Sequence, residues 1–88
     1  MSVPAKKRPS PNHDARDGAI DMIVLHYTGM TDCAGALDRL CDAAAKVSAH
    51  YLIDEDGTLY ALVDEARRAW HAGVASWRGE TDINGCSI

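Results

Sequence analysis

Along the chain, apolar residues fall into one dense run, one helical stripe and two short strand-like stretches, preceded by a polar lead-in. Residues 1–18 hold all three prolines, Pro4, Pro9 and Pro11, and few apolar groups, which predicts an extended, mostly solvated lead-in. The run Ile20-Asp21-Met22-Ile23-Val24-Leu25-His26-Tyr27 carries apolar side chains on both parities, the pattern of a strand covered on both faces. Gly29 ends it, and Thr31 or Asp32 can cap a helix in which Ala34, Leu37, Leu40, Cys41 and Ala44 recur at helical spacing. Asp38, Arg39 and Asp42 form the polar back of that helix, which should lie flat on a sheet, and Gly35 weakens it. Residues 47–53 and 58–63 read as two further strands, joined by Asp54-Glu55-Asp56-Gly57, a hairpin turn in which Gly57 takes positive φ. Beyond Val63 the pattern loosens, and residues 64–68 and 70–73 read as irregular loop. The chain closes on Ser87 and Ile88 with no polar stop, so residues 19–88 are expected to be the amino-terminal portion of an incomplete domain.

Composition narrows the function classes. An apolar content of 47% suits a small α/β domain, and a net charge of −4 without a basic stripe disfavours nucleic acid as a partner. No apolar run reaches membrane-spanning length, and Lys6, Lys7 and Arg8 are followed by no apolar segment, so neither a membrane span nor a secretory signal is read. Cys33, Cys41 and Cys86 are odd in number and lack CxxC spacing; they read as reduced thiols packed as small hydrophobes in a cytoplasmic protein.

Four histidines are the chemistry within reach. His13 lies in the lead-in, His26 at the carboxyl end of the expected central strand, His50 at the start of the second strand and His71 after Trp70 in a loop. A strand end in an open α/β sheet is where functional groups are exposed. None of the four has the spacing of a helical zinc motif, so residues alone leave His26 open between metal ligand and hydrogen-bonded packing. No serine or cysteine has the context of a nucleophile. Asp54, Glu55 and Asp56 fit a solvated hairpin tip better than a metal site. Trp70 and Trp77 suit either a sugar-binding surface or core packing.

Three blocks taken in order resolve more. Ile23-Val24-Leu25-His26-Tyr27-Thr28, then Val47-Ser48-Ala49-His50-Tyr51-Leu52-Ile53-Asp54-Glu55-Asp56-Gly57-Thr58, then Arg68-Ala69-Trp70-His71-Ala72-Gly73 resemble the zinc-dependent N-acetylmuramoyl-L-alanine amidases. That family is related in fold to peptidoglycan recognition proteins and to a phage lysozyme of amidase type. The resemblance covers about residues 20–88 and implies an α/β fold, a mixed sheet flanked by helices, with a catalytic zinc in a cleft. His26 matches the first zinc ligand, while Tyr27, Trp70 and His71 fall near the cleft and are expected to touch substrate. A three-ligand zinc keeps its fourth position for water, whose pKa falls to about 7. Attack by that water on the amide between the muramoyl lactyl group and L-alanine is the reaction the resemblance implies.

The departures from the family pattern are as specific. A tyrosine that assists catalysis in the phage and recognition-protein branch is replaced here by Ala49, and the glutamate that serves the other branch falls beyond Ile88. The second and third zinc ligands also fall beyond Ile88. The expectation is a peptidoglycan amidase whose 88 residues alone hold no catalytic residue, bind no catalytic zinc and self-associate through an unpaired sheet edge. The alternatives are a non-catalytic module that binds peptidoglycan or muropeptide fragments, and a fragment without independent function.

Overall fold

A computed structural model of the chain describes residues 5–26, 32–73 and 79–88. Its helices and strands are short, and they assemble in the order β1 (Ala5–Lys7), β2 (His13–Ala15), α1 (Cys33–Leu40), a 3-10 turn (Ala43–Ala45), β3 (Tyr51–Ile53), β4 (Leu59–Ala61), β5 (Arg67–Ala69) and α2 (Ile83–Cys86). Strands β1, β4 and β3 form a mixed sheet in that order, β1 parallel and β3 antiparallel to β4; β2 and β5 form a separate antiparallel pair. The expected mixed sheet flanked by helices is therefore observed.

Local sequence explains the middle of the chain. Asp32 caps α1, its carboxylate accepting from the Gly35 amide at 2.7 Å, and the first turn of the helix is thereby satisfied. Ala36 and Leu37 face inward and meet Leu52, Leu62, Val63 and Ala69 in one apolar cluster. The hairpin between β3 and β4 closes through Gly57, at φ +89°, whose amide donates to the Asp54 carbonyl at 2.9 Å. Asp56 accepts from the Thr58 amide, so the acidic run serves the turn.

The lead-in behaves differently from the solvated segment its composition suggested. It is extended, but two pieces of it are strands, and Ser10 and Asn12 are buried at 4% and 2% exposure. The Asn12 amide nitrogen donates to the carbonyls of Asp42 and Val47, both at 2.8 Å, while the Ser10 hydroxyl donates to the Leu40 carbonyl. The Leu40 carbonyl ends helix α1, and the Asp42 carbonyl, which also accepts from the Ala45 amide, opens the turn after it; polar side chains suit this position better than apolar ones. Residues 64–69, expected as loop, likewise contain β5, because β2 supplies the strand it pairs with.

The apolar run shows the opposite discrepancy. Residues 20–26 pair on one side only, parallel to residues 86–88: the amides of Asp21 and Val24 donate to the carbonyls of Cys86 and Ile88, and Ile88 returns a bond to Met22. Ile23 and Leu25 stay 74% and 90% exposed. They border an open, largely apolar groove of about 840 Å³, together with Leu40, Val47 and Ile53. Apolar side chains on both parities permit burial on two faces, but the second covering surface is not among the described residues. The expected central strand is thus paired yet uncovered.

If the lead-in is integral, Asn12→Ala should lower stability by about 2–3 kcal/mol, because two carbonyls lose their donor in a water-poor position. Exposed Lys7→Ala should stay within about 0.5 kcal/mol. Urea unfolding of both variants checks this, and equal midpoints would return the lead-in to the status of a tail.

Candidate metal and substrate site

Two loops and one turn bring histidines together. His26 ends the run that pairs with residues 86–88, and His71 lies two residues past β5. Their side chains meet with Nε2 of His26 2.9 Å from Nδ1 of His71, the ring centroids 5.1 Å apart and nearly edge to face. His50 stands behind, its ring centroid 6.1 Å from that of His71. The three blocks of sequence that carry the family resemblance therefore converge on one spot at the end of the groove.

The rigidity behind His71 comes from α2 and Ser87. Asn84, buried in that short helix, accepts through Oδ1 from the backbone amides of His71 and Ala72, at 3.0 and 2.8 Å. Ser87, fully buried, sits with its hydroxyl 3.0 Å from Nε2 of His71 and 2.6 Å from the Ile83 carbonyl. Asp82 caps α2 by accepting from the Gly85 amide, and a Cβ at position 85 would stand 2.3 Å from the Asp82 carboxylate, so a side chain there would displace the cap. Arg68 ties the cap to β2 through ion pairs with Asp82 at 2.7 Å and Asp14 at 3.2 Å.

Beneath the turn lies Arg16. Its Nε donates to the Glu65 carbonyl, Nη1 to those of Asn84 and Gly85, and Nη2 to those of Arg67 and Ser87, at 2.9 to 3.5 Å. All five guanidinium N–H groups are thereby directed at backbone oxygens. His50 joins this arrangement by donating through Nε2 to the Arg67 carbonyl at 2.9 Å, a structural bond. Its Nδ1 is buried and finds no partner among the described residues.

Burial pushes both inner imidazoles toward neutrality. His71 is lowered from 6.5 to about 4, first by desolvation and then by the charges His26, His50, Arg16 and Arg68 would set against a proton there. His50 is lowered chiefly by desolvation, its bond to the Arg67 carbonyl opposing. Neutral imidazole is the form that binds metals and exchanges directed hydrogen bonds.

The sequence-derived site residues fare unequally. His26 is exposed at the mouth of the groove, where an imidazole nitrogen can meet a metal; it fits as one zinc donor. Among the described residues no group of three His, Cys, Asp or Glu side chains could hold a metal, so the remaining donors are not found there. His71 is brought against His26 and is half-buried, inward of the position a rim contact would take. Trp70 is half-buried beside Ser48, with which it exchanges backbone bonds: the Ser48 amide donates to the Trp70 carbonyl, and the Trp70 amide donates to the Ser48 hydroxyl. Tyr27 and Trp77 lie outside the described residues. Sequence reasoning passed over Arg16, Asn84 and Ser87, whose signal was weak: a lone arginine in a polar lead-in, and two small polar residues read only as the approach to a further strand. The cysteines are free, as expected.

Comparison with known proteins agrees with this geometry. Residues 16–88 match the family described as N-acetylmuramoyl-L-alanine amidase. The N-acetylmuramoyl-L-alanine amidase AmiD of Escherichia coli (strain K12) is 38% identical over 76 residues, covering 78% of this chain and 26% of that protein. The 1,6-anhydro-N-acetylmuramyl-L-alanine amidase AmpD of the same organism is 32% identical, covering 98% of this chain and 57% of that protein. A crystal structure of a selenomethionine AmpD derivative superposes with a TM-score of 0.85 at 31% identity, over 100% of this chain and 60% of that one. The chain thus spans from about a quarter to three fifths of the length of these relatives.

The depressed histidines make stability pH-dependent. Between the ordinary value of 6.5 and the folded value of about 4, the unfolded chain binds a proton at His71 that the folded chain refuses. Stability of the metal-free chain should therefore be full above pH 6.5, fall as pH drops toward 4, and level off below. His50 adds in the same direction. Urea midpoints measured across pH 4 to 7.5 should flatten in His71→Asn, which has no proton to gain, and an unchanged slope would refute the assignment.

Proposed function

Because the chain belongs to the N-acetylmuramoyl-L-alanine amidase family, we propose that it forms the substrate-facing wall and supplies the first zinc ligand of a peptidoglycan amidase. The substrate is peptidoglycan or its muropeptide fragments, and the bond cut is the amide joining N-acetylmuramic acid to the L-alanine of the stem peptide. The observation that carries the reading is the convergence of His26, His50 and His71, from three separate blocks, at one end of an open groove.

In this reading His26 holds the zinc. Zinc, when bound, supplies Lewis-acid polarisation of the scissile carbonyl and activates water near neutral pH. The apolar lining beside His26 lowers the local dielectric, which strengthens any charge interaction at the reacting amide. Trp70 and His71 shape the wall, and Tyr27, next to His26 in sequence, is assigned to substrate contact. No residue of the chain is assigned the proton transfer. A cytoplasmic setting accords with three free thiols, and among the described residues no helix is long and apolar enough to cross a membrane.

A second reading is a module that binds muropeptides without cutting them; among the described residues no group of three His, Cys, Asp or Glu side chains could hold a metal. The two separate in a chimera in which this chain replaces the matching part of the AmpD relative. Cleavage of an anhydromuropeptide or muropeptide, with release of peptide bearing a free L-alanine amine, supports the amidase. Retained binding with stoichiometric zinc but no cleavage supports the module.

Within an active chimera, His26→Ala should abolish zinc and hydrolysis together while the fold survives, since the side chain is exposed. Zinc analysis beside circular dichroism measures this, and full zinc retention would remove His26 from the ligand set. Trp70→Ala should raise KM roughly tenfold with little change in kcat, the signature of uniform binding; steady-state kinetics on a muropeptide would contradict the wall assignment if kcat alone fell.

A further inference from the structure

We propose that Arg16 is a positioning residue that sets the width of the groove by holding its two lining segments at a fixed spacing; that this spacing serves muropeptide binding rests on the amidase reading above. Residues 23–26 and Ile88 line the groove from one part of the fold, and residues 47–53 line it from another. Residues 20–26 bond to residues 86–88, while Tyr51–Ile53 pair with β4 and the Ser48 amide bonds to Trp70. Among the described residues no backbone hydrogen bond joins the two segments to each other. Their spacing is therefore set by side chains that reach from one to the other.

Arg16 reaches both. The Arg67 carbonyl accepts from Nε2 of His50 and from Nη2 of Arg16, each at 2.9 Å, so imidazole and guanidinium meet on one oxygen. The same Nη2 lies 3.0 Å from Nε2 of His50 and donates to the Ser87 carbonyl at 3.0 Å. His50 belongs to one lining segment, and Ser87 is bridged to Met22 of the other. One terminal nitrogen thus spans the two. Among the described residues no other side chain has polar contacts to both His50 and Ser87.

The remaining donors fix the angle of the bridge. Nη1 donates to the Asn84 and Gly85 carbonyls and Nε to that of Glu65. A planar fork bonded at every nitrogen keeps one orientation, which a single ammonium on a flexible stem does not. The backbone of Arg16 directly follows β2, whose pairing with β5 fixes where the side chain begins. Arg68 offers the contrast: it ties Asp82 to Asp14 with the same chemistry and touches neither His50 nor Ser87. Such spacing matters to a substrate, because a displacement of about 1 Å far from the reacting atoms costs up to ~100-fold in rate.

The first test uses the unsubstituted chain labelled with nitrogen-15 and carbon-13. Through-hydrogen-bond couplings from Nη2 of Arg16 to the carbonyl carbons of both Arg67 and Ser87 are expected, and absence of either overturns the bridge. Spin labels on unnatural keto side chains in place of Leu25 and Ile53, both exposed, then report the spacing of the two segments. Arg16→Lys keeps the charge and loses the fork, so the distance distribution should broaden. Arg68→Lys loses a fork of equal size that does not touch His50 or Ser87, and should leave the distribution unchanged. Equal broadening in both variants, or none in Arg16→Lys, overturns the proposal. In the active chimera, Arg16→Lys should raise KM for a muropeptide roughly tenfold with little change in kcat. Loss of folded molecules lowers the apparent kcat and leaves KM alone, so an unchanged KM overturns the role in substrate binding. A chimera that fails to cleave with Arg16 in place overturns the amidase reading instead, and the couplings and labels then decide the bridge by themselves.

Discussion

The guanidinium of Arg16 is the constraint on which the rest of the site depends. One planar group with five donors meets carbonyls from three places in the chain: Glu65 in the turn before β5, Arg67 of β5 itself, and the turn from Asn84 to Ser87. Without the arginine each of these carbonyls would lose a donor in a partly buried position. Lysine, a point charge with three donors on a flexible stem, cannot satisfy the same fan of acceptors. The arginine thus substitutes for a stretch of sheet that the short elements do not provide.

From that clamp, order passes outward through side chains of decreasing burial. The turn it holds presents Asn84 and Ser87 to His71, and His71 meets His26 at the surface. Each link is a hydrogen-bond contact, so position is transmitted from the turn to the groove. Burial keeps His71 neutral near physiological pH.

The groove beside His26 shows a different side of the same economy. Ile23 and Leu25 are among the most exposed apolar side chains described, on a segment whose backbone is paired on one side. An uncovered apolar face of this kind marks a surface for a ligand or for another part of a fold. The matched relatives extend well beyond the length this chain covers, in line with the open groove. The expected self-association finds no support in the structure or in the relatives.

What the sequence determined by itself is what depends on neighbours along the chain. The Asp32 cap, the burial of Leu37 and the Asp54–Gly57 turn follow from local chemistry, whereas Ala34 and Ala44 of the expected stripe are exposed and α1 ends at Leu40. Three ordered blocks also sufficed to indicate the family. Tertiary structure decided everything that turns on a partner distant in sequence. The lead-in became strands because β4 and β5 offered edges, and buried Asn12 and half-buried Arg16 became donors to carbonyls 30 to 71 residues away. In the apolar run, conversely, Ile20, Ile23 and Leu25 stay exposed among the described residues, though its pattern is that of a core strand. No periodicity tells that Ser87 and His26 stand on either side of the His71 ring. Hydrogen-bond demand is a property of the assembled fold, and a polar residue's sequence neighbours do not reveal which distant carbonyl or ring nitrogen it will serve.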